Sequence, residues 1–211
     1  MALAKMSWDE LNRLVGYKKS EPIDEFFNPM QISDKQKEKR IALAKDLYNI
    51  FVAMLVEIFE ADQFGIGISD DLFERTREAY MQILEGHVDI DTYLIEHCIE
   101  TISEAIDVLE RHSNEPYYYS DDRAIAISEN DANSIMNYDE YDDALSNYHF
   151  KTWNTIMDGR ERDSHAEVNG VTIPITEPFE LAGGLLQFPL DTSLDCDSSE
   201  IANCRCSCSF S

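Results

Sequence analysis

Four of the five cysteines fall within the last sixteen residues, as Cys196, Cys204, Cys206 and Cys208, and a histidine, His165, stands in a turn upstream of them. Thiolate sulfur and imidazole nitrogen are the donors that zinc prefers. The Cys204-x-Cys206-x-Cys208 spacing is tighter than the usual zinc pair, but on a strand alternate residues share one face. His165, Cys196, Cys204 and Cys206 therefore make a candidate four-donor set joining turn to tail. Two other readings of the same residues stand beside it. In one, the thiols pack or stay free and His165 bonds the turn backbone, so that no cofactor is present. In the other, a disulfide forms late, once the protein has left a reducing environment.

A second chemistry is phosphodiester cleavage. Arg123, Glu129, Arg160, Arg162 and His165 are the types that supply a general acid or base and guanidinium groups for a charged transition state. A small nuclease-like enzyme using Arg160 and His165 is thus one alternative. Against it, Asp158, Glu161 and Asp163 are the nearest partners of Arg160 and Arg162. A local ion-pair network in the turn explains these arginines without catalysis, and the expected function is not enzymatic.

Charge narrows the partners. Among 211 residues, 42 are acidic and 17 basic, a net charge of −25. Such a field repels bare nucleic acid over about 10 Å at moderate salt. Direct DNA binding is not expected for the bulk surface, since duplex binding needs a row of cations facing phosphates. The basic clusters are short: Lys18-Lys19, and Lys35, Lys37, Lys39 and Arg40, the latter reading as a solvated helix start. An acidic inhibitor that mimics nucleic acid is a further alternative. The longest apolar run, Ile50 to Val56, is far short of the roughly 20 residues of a membrane span. No signal-peptide pattern opens the chain, so the thiols are expected to form in a reducing cytoplasm.

The elements that must position these residues are helices first and strands later. Residues 1–32 read as an arm, in which Leu11 and Leu14-Val15 end at Gly16. Trp8, Phe26 and Phe27 are its aromatic anchors, docking either on the chain's own core or on a partner. Residues 33–114 read as a helical domain. Ser33 with Gln36 forms a capping box for the first helix, Ser69-Asp70-Asp71 opens a second, and a third begins near Asp91 and carries Cys98 in its apolar stripe. His87 and His97 stand without a cluster. Pro116 breaks the pattern and Ser120 or Asp121 caps a further helix, in which Asp139-Glu-Tyr-Asp-Asp143 reads as a solvated face. After Tyr148 the periodicity turns to two, with a strand around Trp153, a turn at Asp158-Gly159-Arg160, and Asn169-Gly170 as a hairpin signal. The expected class is α+β: a helical N-terminal half with a small antiparallel β module at the C-terminus.

Residues 120–208 resemble the phage Mu F-like head-morphogenesis (minor head) family. The resemblance rests on the order of Arg123-Ala-Ile-Ala-Ile-Ser-Glu129, Lys151-Thr-Trp153, Asp158-Gly-Arg160-Glu-Arg162-Asp-Ser-His165, Asn169-Gly170, Glu177-Pro-Phe179, Pro189-Leu-Asp191 and Asn203-Cys204-Arg205-Cys206. Residues 115–211 are accordingly read as a Mu F-like C-terminal module with a Cys-rich tail, and Arg123, Glu129, Trp153, Asp158, Arg160, His165, Asn169, Gly170, Asn203 and Arg205 as its motif core. The resemblance implies a minor capsid protein acting in capsid assembly, bound to the portal or major capsid protein at the portal vertex or capsid interior. A part in DNA packaging or ejection and residence in the virion follow from the same likeness. Many relatives carry Cys-x-x-Cys in the turn and His-Pro before the terminal cysteines, which reads as a four-ligand zinc site. Here the turn offers only His165, and Ile201-Ala202 replaces His-Pro.

Overall fold

The structure is a computed structural model that describes residues 6–14, 23–112 and 115–211. The Gly16 stop and the Lys18-Lys19 cluster lie outside the described residues. The chain clusters into two compact units, one drawn from Met1–Pro22 and Leu43–Ser128 and the other from Ile23–Ala42 and Glu129–Ser211. This division does not follow the segments 1–32, 33–114 and 115–211. The second half of the arm packs with the C-terminal module, because Ile23, Phe27 and Met30 are buried there.

Short helices α1 (Trp8–Leu14) and α2 (Ile23–Phe27) precede the 31-residue α3 (Asp34–Phe64). The capping box forms as expected: Ser33 Oγ and its backbone N–H both donate to Gln36 Oε1, at 2.7 and 2.9 Å. Helices α4 (Leu72–Leu84) and α5 (Thr92–Arg111) follow, and Asp91 caps α5 by accepting from the Leu94 N–H at 3.0 Å. The inner positions of the stripes predicted from spacing are buried, Leu47, Phe51 and Leu55 on α3, Tyr80 and Leu84 on α4, and Leu94, Cys98 and Ile102 on α5, while Ile95 and Ile99 at the edge of the α5 stripe are exposed. His87 pairs with Asp46 at 2.9 Å, and His97 stacks on Tyr93. A 3₁₀ turn at Pro116–Tyr119 leads into α6 (Asp121–Leu145). No described helix is long and apolar enough to cross a membrane.

The second unit carries β1 (Phe150–Asn154), α7 (Asp163–Glu167), β2 (Thr172–Pro174), β3 (Phe179–Leu181), β4 (Gly184–Leu186), α8 (Ser198–Ile201) and β5 (Ser207–Phe210). One antiparallel sheet has the order β2-β1-β5, and β3 and β4 form a separate hairpin. The α+β class is therefore correct. The Asn169-Gly170 pair is not a two-residue hairpin, however. It forms the exit of α7, with Gly170 at φ 77° and its N–H donating to the Trp153 carbonyl at 2.8 Å. An Asn-Gly pair suits any left-handed turn, and local sequence does not distinguish a hairpin from a helix exit.

Arg40 corrects the reading of its basic cluster. Its side chain is fully buried in the second unit. Nη1 and Nη2 form a fork on Glu140 at 2.6 and 3.0 Å, while Nε donates to Asn133 Oδ1 at 3.0 Å and Nη2 to Asn137 Oδ1 at 2.9 Å. Glu140 is likewise no plain member of a solvated acidic face. Asn133, Asn137 and Glu140 stand at i, i+4 and i+7, a single face of α6.

Candidate metal centre

β1 places alternate side chains inward, so Lys151 and Trp153 are buried while Thr152 is not. Trp153 Nε1 donates to Thr155 Oγ1 at 3.0 Å, and Thr155 Oγ1 donates to the His165 carbonyl at 2.8 Å. Asn169 Oδ1 accepts from the Thr155 N–H at 2.8 Å. These bonds tie α7 to the end of β1 and fix the imidazole, which meets the indole edge-on with ring centroids 5.4 Å apart.

On the tail, Asn203 adopts φ 53°, a left-handed conformation that asparagine tolerates better than most residues. This kink delivers Cys204 and Cys206 to the imidazole. His165 Nδ1 lies 3.7 Å from Cys204 Sγ and 3.4 Å from Cys206 Sγ, and all three residues are buried. The three donor atoms lie within 4.8 Å of one another. A zinc ion bound by these atoms at ordinary bond lengths would set N···S separations near 3.6 Å and S···S near 3.8 Å. The two N···S separations therefore fit a zinc-class ion, as the donor types do.

Four groups hold the donors in place. The Cys206 N–H donates to Cys204 Sγ at 3.4 Å. Asn133 Nδ2 donates to the Cys204 and Cys206 carbonyls at 3.0 and 3.2 Å, and Asn137 Nδ2 to the Cys206 carbonyl at 3.2 Å. Arg40 orients both amides by occupying their oxygens. Glu200 lies with Oε2 3.1 Å from His165 Nε2, off the N–H axis, and accepts from Ser164 Oγ at 2.7 Å. Within the thiol pair, the bond from Cys204 and the neighbouring imidazole pull the Cys206 thiol down, whereas its bond to Cys206 and burial push the Cys204 thiol up.

The expected four-donor set is thus corrected at one position. Cys196 stands apart, half-buried and bridged to Gly184 of β4, and is not a member of the cluster. Gly184 has φ 138°, and a Cβ there would run into the Asp195 carbonyl, so this bridge fixes Cys196 on the hairpin side. Cys208 is buried on β5, opposite Trp153 in the register.

The other motif residues surround the centre or lie elsewhere. Asp158 accepts from Arg160 Nη2 at 2.9 Å and from Arg205 Nη2 at 2.9 Å to both oxygens. Arg160, then Arg205, hold its carboxyl down at about 2. Arg162 donates to the Ala202 carbonyl. Arg160 thus closes on Asp158 within the turn, while Arg162 and Arg205 tie the turn to the tail, so the expected pairing with Asp158 holds for Arg160 and Arg162 bonds a carbonyl instead. Arg123 belongs to the first unit, with its guanidinium over the Tyr118 ring, and Glu129 is buried in the second. Trp8 is half-buried and edge-on to Phe59 in the first unit. Phe27 is fully buried in the second unit with Phe26 edge-on to it at 4.9 Å, so Phe27 is no exposed anchor.

Sequence reading missed Arg40, Asn133, Asn137, Glu200 and Lys151. Lys151 is fully buried, and its Nζ donates to the Gln187 carbonyl and Oε1 at 2.6 and 2.7 Å, with the Tyr141 ring 4.8 Å away. Burial lowers its pKa to about 8, opposed by Cys208 and Asp191. A folded-state value below the unfolded one means the unfolded chain binds more protons between about pH 8 and pH 10.5. Lys151 should therefore make stability rise with pH across that window. The slope in Lys151→Met should be smaller than in the wild type by up to about 1.4 kcal/mol per pH unit. Urea titrations of both proteins at pH 8, 9 and 10 measure it; equal slopes would refute the buried-amine account.

No family model matches this chain, and no curated protein or solved structure matches it either.

Proposed function

We propose that this protein is a bacteriophage minor head protein that acts by binding during capsid assembly, at the portal or the capsid lining, and resides in the virion. The observation that carries the reading is the convergence of the family-like motifs. Though scattered over some fifty residues, Trp153 contacts His165 and Gly170, Arg160 and Arg205 share Asp158, and Asn169 bonds Thr155, all within one unit, while Arg123 lies in the other. Convergence is what a shared motif core predicts and what a chance succession of common residues does not.

The same geometry favours binding over the nuclease-like alternative. Arg160 and Arg205 are engaged with Asp158, and His165 is 2% exposed. A phosphodiester approaching Arg160 would meet the Asp158 carboxylate beside it, and His165 is not open to it. The net charge of −25 opposes the approach of DNA to the bulk surface.

The test is mass spectrometry of purified heads. The chain is expected in mature particles at a fixed ratio to the portal protein, and its absence from both proheads and virions would refute the proposal. Of the predicted anchors, Trp8 and Phe26 keep exposed surface and Phe27 does not. Trp8→Ala should lower incorporation several-fold while the second unit keeps its fold, as an aromatic hot spot would. A point substitution is used because removal of residues 1–32 would take Phe27 and Met30 from the core of the second unit.

A further inference from the structure

The buried cluster of His165, Cys204 and Cys206 has a ligand chemistry of its own that assembly does not explain. We propose that His165 Nδ1, Cys204 Sγ and Cys206 Sγ bind zinc as a structural clip. This inference stands apart from the head-protein reading, since it depends only on the second unit.

Three independent observations carry it. The two N···S separations, 3.7 and 3.4 Å, bracket the edge of about 3.6 Å that a tetrahedral zinc site imposes. One imidazole nitrogen faces the thiols, and a carboxylate, Glu200, lies 3.1 Å from the other though off its N–H axis, the class of neighbour that accompanies a zinc-bound histidine. The main chain around the cysteines is also fastened before any ion arrives. Their carbonyls are held by Asn133 and Asn137, whose amides are in turn set by the fully buried Arg40. A rigid frame of this kind suits a site that must hold its donors at fixed separations. An ordinary packing cluster gains nothing from it.

Zinc would join α7 to the tail across 39 residues, beside the kink at Asn203 and just before β5. Zinc would take both cysteines as thiolates, with any proton still on either thiol released to solvent, while the imidazole binds as the neutral ring. Two thiolates balance the charge of the ion, which removes the electrostatic cost of burying them.

The experiment uses the full chain purified without chelator. Elemental analysis should find a single zinc equivalent, and replacement by cobalt(II) should give thiolate-to-metal charge-transfer absorption in the near ultraviolet. Removal of zinc should lower the melting temperature by several degrees and raise amide exchange selectively at residues 203–208. Cys204→Ser and Cys206→Ser should abolish the charge-transfer band, whereas Cys196→Ser, Cys98→Ser and Cys208→Ser should retain it. The wild-type cobalt spectrum decides the matter even if a cysteine variant fails to fold. Failure to take up zinc at micromolar free metal, a cobalt complex without the thiolate band, or a Cys204–Cys206 disulfide in freshly purified protein would each overturn the proposal. Loss of binding in Cys196→Ser would overturn the assignment of donors.

Discussion

Replacing Arg40 by methionine should destabilise the second unit by about 3 to 5 kcal/mol, the range for removing one partner of a buried ion pair. The side chain is fully buried, and the Glu140 carboxylate it faces is 15% exposed. Without the guanidinium, that carboxylate and the Asn133 and Asn137 oxygens lose their donors together. The damage should spread to the tail, because the same two amides hold the carbonyls of Cys204 and Cys206. Arg40→Lys should recover little. A point-charge ammonium cannot reach Glu140 and both asparagines at once, as the planar fork does. The double variant Arg40→Met with Glu140→Leu should regain part of the loss by removing the stranded charge. Urea unfolding followed by tryptophan fluorescence measures all three. A loss below about 1 kcal/mol in Arg40→Met would mean that the network is worth no more than a surface pair.

Trp153→Ala should cost a comparable amount, about 3 to 5 kcal/mol, as buried large aromatics do. Trp153 is completely buried, and its ring meets His165 and Phe179 edge-on at centroid distances of 5.4 and 5.2 Å. Truncation opens a cavity at the centre of the β module and frees Thr155 Oγ1 from its donor. Trp153→Phe should fill most of the volume but lose the Nε1 bond, at a cost of about 1 to 2 kcal/mol. Thermal unfolding by circular dichroism distinguishes the two variants. If Phe and Ala cost the same, the hydrogen bond dominates the ring's packing. If neither costs more than about 1 kcal/mol, Trp153 is not the keystone of the module. Domains hold only about 5 to 15 kcal/mol in total, so either large loss leaves little native protein at 37 °C.

How much of this was legible before the fold was seen depends on the range of the interaction. The helices of the first unit follow from residues three and four apart, and the Ser33–Gln36 box and the Asp91 cap follow from residues three apart. The sheet around Trp153 follows from alternation. The pairing of His165 with the terminal cysteines was legible from donor chemistry, which narrows the candidates to few residues. The sequence by itself thus determined the α+β class, the helical stripes and the types of donor in the centre.

The tertiary structure decided the rest, and each case involves partners far apart in the chain. Arg40 reads as a solvated lysine-cluster neighbour because its carboxylate lies 100 residues away on α6. Cys196 lies only eight residues before Cys204, yet the β3–β4 hairpin draws it off through the bridge to Gly184. Glu200 has no local mark among 42 acidic residues. Asn169-Gly170 carries the same left-handed preference in a hairpin and in a helix exit. Residues 23–32 read as an arm by composition but are core of the second unit by burial. Burial of a polar side chain is stable only when distant partners satisfy it, so no local pattern can announce it.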